Sequence, residues 1–348
     1  MADHVLVVRL DNVGDVLLTG PAVRAVAEKA RVTFLCGPNG VSAARLLVGV
    51  DGIIVHRAPW IDPGPESVDA AATLHLIDRV RAARPDRAIV LTSFHQSALP
   101  TALLLRLAGV RFVGAISEDY PGSLLDVRHR VADDIHEVER NLSLVAACGY
   151  RLPAGDDARL LIRHEAGRAT FKGLERYVVV HPGASTPARR WDPARSAELV
   201  DGLVRRGHRV VVTGRASERE LTARVVGRPR SEVVDLTGKL DLQALAGVVA
   251  GAEAIVVGNS GPAHLAAAVQ TPVVSLYAPT VPSVRWRPWR VPHALLGMQD
   301  IPCAGCRARV CPMTEHPCLS SIETGAVIEA VESLAERRPA SAATGAAS

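Results

Sequence analysis

The sequence predicts two α/β domains, each a doubly wound parallel sheet flanked by helices. Three observations lead there. Short runs of Val, Ile and Leu alternate with longer Ala/Leu/Arg stretches of helical period, and the alternation runs twice along the chain. The short runs are apolar throughout, as strands covered by helices on both faces are. The 348 residues are 48% hydrophobic and 22% charged, which suits two ordinary cores and not a disordered chain.

Taken in order, strands are expected at residues 4–10, 32–36, 53–56, 88–92 and 111–115, with helices at 68–83 and 97–108 among them. Strand signal then weakens over 152–176, where Gly, Arg and Glu gather, and the domain boundary is placed there. Strands resume at 177–181, 209–213, 233–236, 254–257 and 273–277. Helices at 194–206, 218–226, 242–250 and 262–269 separate them. A last helix at 322–337 precedes small and polar residues. The expected domains are 1–165 and 166–338, and 339–348 is expected to be a disordered tail.

The formal net charge is +4, with no Lys/Arg block long enough for a nucleic-acid track. Nearly all the positive charge is arginine, whose planar fork suits phosphates. No basic leader precedes the first apolar strand, so no secretory signal is expected. No apolar stretch reaches about 18 residues without a charge or a breaker, so no spanning helix is expected either. The expected location is cytoplasmic, with peripheral contact at the inner membrane face left open.

Three strand-end segments carry candidate chemistry. In residues 7–19 a strand ends, Gly14 permits a tight turn, and Asp15 projects from the first turn of a helix. Asp15 is either a cleft carboxylate or a simple complement to the helix dipole. Residues 180–191 follow a strand with Gly183, Ser185, Thr186 and Arg189, an order suited to wrapping and neutralising phosphate; the alternative is an ordinary loop with solvated arginines. In residues 257–265 a strand ends at Gly258 and Pro262 suits a helix start, so the helix N-terminus aims at whatever lies over Asn259, Ser260 and Gly261. His264 shares that face, or is a packing histidine. The first segment lacks the Gly-x-Gly-x-x-Gly and Gly-Lys-Ser/Thr signatures, which disfavours a dinucleotide-dependent dehydrogenase or a P-loop enzyme.

At these segments the chain resembles glycosyltransferase family 9, the heptosyltransferase-like enzymes. The family's Arg-x-x-x-x-Gly-Asp-Val-x-x-Thr is matched over residues 9–19. Its His-Pro-Gly-Ala-Ser with a basic residue before Trp is matched over 181–191. Its Asp-Ser/Thr-Gly-Pro-x-His-Leu-Ala-Ala-Ala, with the later Thr-Pro-Val-Val and Pro-Thr, is matched over 259–280. The resemblance implies a GT-B fold, two facing Rossmann-like domains with a cleft between them. It also implies metal-independent transfer with inversion at the sugar. It puts Asp15 on the general base, and Ser185, Thr186 and Arg189 on the diphosphate loop. It puts Glu218 near the acid that holds the donor ribose, and Ser260, Gly261 and His264 on the phosphate-binding helix start.

Two positions depart from the pattern. Asn259 stands where the family has Asp, which leaves a hydrogen-bonding but uncharged donor contact. Arg189 stands where many members have Lys. On the acceptor side, Gly14 and the polar loop 92–96, with Ser93 and His95, are the candidate wall. No cofactor is expected beyond a nucleotide-diphosphate sugar as co-substrate, ADP-heptose by default. The acceptor is a glycan, glycolipid or glycosylated metabolite. The competing readings are a sugar-nucleotide epimerase of the same fold and a non-catalytic nucleotide-sugar or glycan-binding protein.

Cys303, Cys306, Cys311 and Cys318 cluster near His316. Their spacing admits a structural zinc or an iron–sulfur centre, but plain buried thiols are the expectation and no metal site is assigned.

Overall fold

The computed structural model describes residues 3–62, 64, 66–164 and 176–337. The expected tail at 339–348 and the 165/166 domain boundary lie outside the described residues. The chain divides into two compact units, residues 1–163 and 164–348.

The first unit is built on β1 (Asp3–Arg9), β2 (Ala30–Cys36), β3 (Gly52–Val55), β4 (Arg87–Val90), β5 (Phe112–Ile116) and β6 (Val127–His129). The order is β3-β2-β1-β4-β5-β6, with every pair parallel. Val5 stands opposite Val32 on one side and Arg87 on the other. The second unit uses β7 (Tyr177–His181), β8 (Arg209–Val212), β9 (Val233–Asp235), β10 (Ala254–Gly258), β11 (Val273–Leu276) and β12 (His293–Leu296). Its order, β12-β11-β10-β7-β8-β9, is the same winding and again wholly parallel. Both sheets have the dinucleotide-fold order, which reverses direction between its first and fourth strands.

Burial explains the apolar runs. In the first unit Leu6, Val8, Leu35, Val90 and Val113 pack with Leu76, Ile77, Val80, Ala102 and Leu105 from the helices. In the second, Val178, Val180, Val210, Val212 and Val256 pack with Leu199, Leu203, Val327 and Val331. Short polar residues start the covering helices. Asp69 accepts from Ala72 N, Asp192 from Ala194 N and Arg195 N, and Asp241 from Ala244 N. Among the described residues, no helix is long and apolar enough to cross a membrane.

Edge strands β6 and β12 are absent from the sequence-based expectations. Both are short and half-buried, and Val127-Arg128-His129 has no apolar run to announce it. The expected strands match β1–β5 and β7–β11 to within a residue or two at each end.

Each sheet's winding reversal falls between two of the segments singled out in the sequence. In the first unit, residues 10–19 follow β1 and residues 91–96 follow β4. In the second, residues 182–192 follow β7 and residues 259–264 follow β10. Ligands of open α/β sheets bind at such points, outside the carboxyl ends of the strands.

Candidate functional site

In the first unit the site is organised by a residue that strand β1 buries. Arg9 ends the strand with 0% of its surface exposed. Its guanidinium meets Asp11 at 2.6 Å, Asp15 at 3.2 Å and Glu137 at 3.2 Å, and donates to Ser93 Oγ at 2.7 Å. Asp11 lies in the turn after β1. Asp15 sits in the first turn of the five-residue helix Val13–Leu17, beside buried Gly14. Ser93 comes from the loop after β4. Glu137 opens the helix Glu137–Ala147, whose start His136 and Glu139 fix in a reciprocal capping box. Arg140, one turn on, stands 3.8 Å from Glu137. Gln96 closes the cluster: its Oε1 accepts from Ser93 N at 2.9 Å, and its Nε2 donates to Asp11.

The electrostatics follow from burial. Desolvation works against the Arg9 charge, but Asp11, Glu137 and Asp15 outweigh it and hold the guanidinium above its ordinary pKa. Desolvation raises Asp11 and Glu137, and Arg9 opposes the rise in both. The three carboxylates differ in access. The Asp11 and Glu137 side chains are 9% and 1% exposed, whereas Asp15 is 24% exposed. Asp15 is therefore the member of the cluster that a ligand can reach. Ser93 is buried with its hydroxyl on Arg9, so it supports the loop from beneath, while His95 is exposed on the same loop.

In the second unit, Arg189 joins the two strand-end loops. It closes the short turn Pro187–Arg189. Its Nε donates to Thr280 Oγ1 at 3.1 Å and its Nη1 to the Asn259 carbonyl at 3.3 Å. The backbones are as close as the side chains. A Cβ on Gly258 would stand 2.6 Å from the Arg189 carbonyl oxygen, so only glycine fits there. Ser185 is exposed and Thr186 half-buried on the same loop. Ser260, extended at φ −143° and ψ 173°, leads into the helix Gly261–Ala268, and its side chain does not cap that helix. His264 is buried in the first turn, and its Nδ1 has no hydrogen-bond partner among the described residues. Burial, with Arg189 adding to it, pushes the His264 pKa down to about 4, so the ring is neutral at physiological pH.

Glu218 is buried against this loop. Its carboxylate packs where a Cβ on Gly183 would lie, and it accepts from Arg215 N at 2.8 Å. Nearby, His181 shares a hydrogen bond with Thr213 Oγ1 at 2.9 Å. Burial pushes His181 down to about 4, with Glu218 opposing the shift and Arg215 adding to it.

The four clustered cysteines line one pocket with Ala188, Thr280, Met313 and His316, but the expectation of buried thiols holds only for Cys318: Cys303 and Cys306 are exposed and Cys311 is half-buried, because they stand on surface turns outside the regular elements. Among the described residues, no group of three or more His, Cys, Asp or Glu is placed to hold a metal ion. The segment instead braces the loop after β7 and the residues after β11. Ala188 N donates to the Arg309 carbonyl at 3.0 Å, His316 Nε2 to the Ala188 carbonyl at 3.0 Å, and Arg307 N to the Thr280 carbonyl at 2.9 Å.

Comparison with known proteins shows the family and the fold. The family model described as glycosyltransferase family 9 (heptosyltransferase) matches residues 73–316, well over half the chain. The chain belongs to glycosyltransferase family 9. Lipopolysaccharide heptosyltransferase 3 of Escherichia coli K12 is 32% identical over 166 residues, 44% of this chain and 47% of that protein, so the match spans about half the relative's length. A second E. coli lipopolysaccharide heptosyltransferase 3 is 29% identical over 300 residues, 79% of this chain and 83% of it. Among solved structures, a family 9 glycosyl transferase from Veillonella parvula superposes with a TM-score of 0.78 at 19% identity, covering 97% of this chain and 98% of that one. The E. coli heptosyltransferase WaaC with ADP-2-deoxy-2-fluoro heptose gives 0.71 at 20% identity, covering 95% and 99%. At these identities the structures establish the fold, which is GT-B, built from two Rossmann-like domains.

Within this family 9 chain, the Asn259 departure has a local account. Its Nδ2 donates to the Ala278 carbonyl at 3.0 Å, and its Oδ1 accepts from Ala278 N at 3.3 Å. The side chain thus clips the end of β10 to the residues after β11, and an aspartate could make only one of those two bonds. Sequence reasoning left out Arg9, Asp11, Glu137 and Thr280, all of which the structure places in the site. Arg9 and Thr280 had a signal, since both lie inside the family motifs. Glu137 had none.

Proposed function

We propose that this protein transfers heptose from ADP-heptose to a hydroxyl of a lipopolysaccharide-type glycan, with inversion at the sugar and with Asp15 as general base. The observation that carries the reading is the Arg189 junction, a cation held between two strand-end loops at the winding reversal of the second sheet. That is where a departing diphosphate needs positive potential. Family membership, relatives named as heptosyltransferases and the ADP-heptose analogue in WaaC support the choice of donor.

The reaction is one displacement. The acceptor oxygen attacks the anomeric carbon as the bond from that carbon to the diphosphate oxygen breaks, and the bonding pair leaves with ADP. Asp15 takes the acceptor proton, a general-base contribution of typically ~10²–10⁴-fold. Arg189, the hydroxyls of Ser185 and Thr186, the start of the helix Gly261–Ala268 and the neutral ring of His264 hold the developing charge. Glu218 takes the ribose hydroxyls. In this reading residues 1–165 serve the acceptor and 166–338 the donor, transfer needs no divalent metal, and the acceptor is met at the inner membrane face.

The test uses the full chain, ADP-heptose and heptose-deficient lipopolysaccharide. Asp15→Asn should lower the single-turnover rate by about 10²–10⁴ while ADP affinity by calorimetry stays within about twofold. A variant that keeps more than about a tenth of the rate removes Asp15 from the base role. Donor turnover without any acceptor would point to an epimerase instead.

A further inference from the structure

The helix that bears Asp15 does little to aim it. It has five residues, and Asn12 at its start makes no side-chain cap. What holds Asp15 is Arg9, at 3.2 Å. Arg9 is an unusual end for β1, where Val5, Leu6, Val7 and Val8 are all fully buried. Taking a guanidinium wholly out of water is costly, so packing alone favours a hydrocarbon at this position. The fork geometry is what a hydrocarbon lacks. Nε faces Asp11, Nη1 faces Glu137, and Nη2 is divided between Asp15 and Ser93. The contacts come from three segments, residues 10–19, the loop after β4 and the helix Glu137–Ala147, so the guanidinium cannot turn without breaking several at once.

We infer that Arg9 is a positioning residue for the reaction: it clamps one oxygen of Asp15 and leaves the rest of the carboxylate for the acceptor, while Asp11 and Glu137 anchor Arg9. This rests on the proposed base role of Asp15. The cluster also balances charge. Arg9 carries one positive charge, and Asp11 and Glu137 set two negative charges against it beside Asp15. Among the described residues, the other polar or charged groups packed on this cluster include Ser93 on Arg9, Gln96 and His95 beside Asp11, all from the loop after β4, and Arg140 beside Glu137 on the helix Glu137–Ala147. None of them takes Glu137's place on Arg9.

The test is the pH dependence of the single-turnover rate for Glu137→Gln, Arg9→Lys and Arg9→Met, with donor KM and melting temperature measured alongside. Glu137→Gln keeps the shape and removes one negative charge, so Arg9 acts harder on Asp15 and the acid limb moves to lower pH by about one unit. Arg9→Met removes the cation, so the limb moves to higher pH by about one unit or more, and the rate at neutral pH falls roughly 10–100-fold. Arg9→Lys keeps the charge without the fork, so its limb stays near wild type while the rate recovers only in part. Donor KM should stay within about twofold in all three, because the donor loops lie in the other unit. A structural role alone predicts lower melting temperatures with the limb unmoved, and that result overturns the inference. If Arg9→Met does not fold, Glu137→Gln decides the matter: a folded variant with an unshifted limb overturns it. If Asp15→Asn keeps its rate, the base reading fails and takes this inference with it. If Asp15→Asn is inactive while the Arg9 and Glu137 limbs do not move, only the positioning role fails.

Discussion

Gly258 ends β10 against the backbone of the loop that carries Arg189. In Gly258→Ala the new Cβ would stand 2.6 Å from the Arg189 carbonyl oxygen, and Cβ atoms essentially never approach within 3.0 Å. The loop must therefore retreat by roughly half an ångström, because the strand is paired on both sides. Arg189 moves with it. Its bonds to Thr280 Oγ1 at 3.1 Å and to the Asn259 carbonyl at 3.3 Å are already long, so they cannot absorb that shift. Overpacking of this kind costs about 1–3 kcal/mol of stability. On the proposed role of Arg189 at the diphosphate, misplacing that charge-assisted contact costs about 1.5–3 kcal/mol of binding, roughly a 10–100-fold weaker Kd for ADP. Calorimetry with ADP measures the second effect and urea unfolding the first. Gly325→Ala is the control: Gly325 is exposed near the start of the last helix with nothing within 4 Å of a new Cβ, and the substitution should stabilise by about 0.4–1 kcal/mol without touching affinity. Arg189→Met, which leaves Gly258 alone, should weaken ADP by a similar factor. A folded Gly258→Ala that binds ADP within about twofold of wild type would refute the link between this backbone contact and donor affinity.

Two further outcomes follow from burial. Cys303 and Cys306 are exposed, whereas burial pushes Cys36 and Cys148 up to about 11, so a disulfide-exchange reagent at mildly alkaline pH should label the first pair quickly and the second only on unfolding. Peptide mass spectrometry reads this directly, and native labelling of Cys36 at the rate of Cys303 would contradict the burial. His181 and His264 are held near pKa 4 against an ordinary 6.5, so the unfolded chain binds more protons between those values. Their stability contribution is whole above about pH 6.5 and is lost as pH falls towards about 4, by up to about 3 kcal/mol for each. His264→Asn should flatten the fall in urea midpoint across that window relative to wild type, and a variant with the wild-type slope would exclude His264 as a source.

The fold was legible because its signals are local. Buried parallel strands have to be apolar end to end, and β1, β7 and β10 show this without help from the rest of the chain. Edge strands face less of the core, so Val127-Arg128-His129 carries no such mark. The same distinction separates the parts of the candidate site. Gly14, Asp15, Ser260 and Gly261 stand at strand-to-helix turns, and a turn followed by a helix start is visible in a few consecutive residues. Glu137 is not visible in that way. It meets Arg9 across 128 positions of sequence, and nothing near it distinguishes an inward carboxylate from an ordinary acidic helix start.

Asn259 shows the converse, a local signal whose meaning depends on a distant partner. Against the family pattern it is a lost charge, and from sequence alone a lost charge beside a phosphate loop suggests a different donor. Its amide lies on the Ala278 main chain, 19 positions away, giving one hydrogen bond and accepting one. An amide can do both and a carboxylate cannot, so the substitution is accounted for by the clip between β10 and the residues after β11. That clip bears on the Arg189 loop all the same, because the Asn259 carbonyl and Thr280, two residues beyond Ala278, both accept from Arg189. The side chain at 259 therefore fixes the backbone from which one Arg189 contact is made, and its departure from the pattern has a structural account that does not require a change of donor.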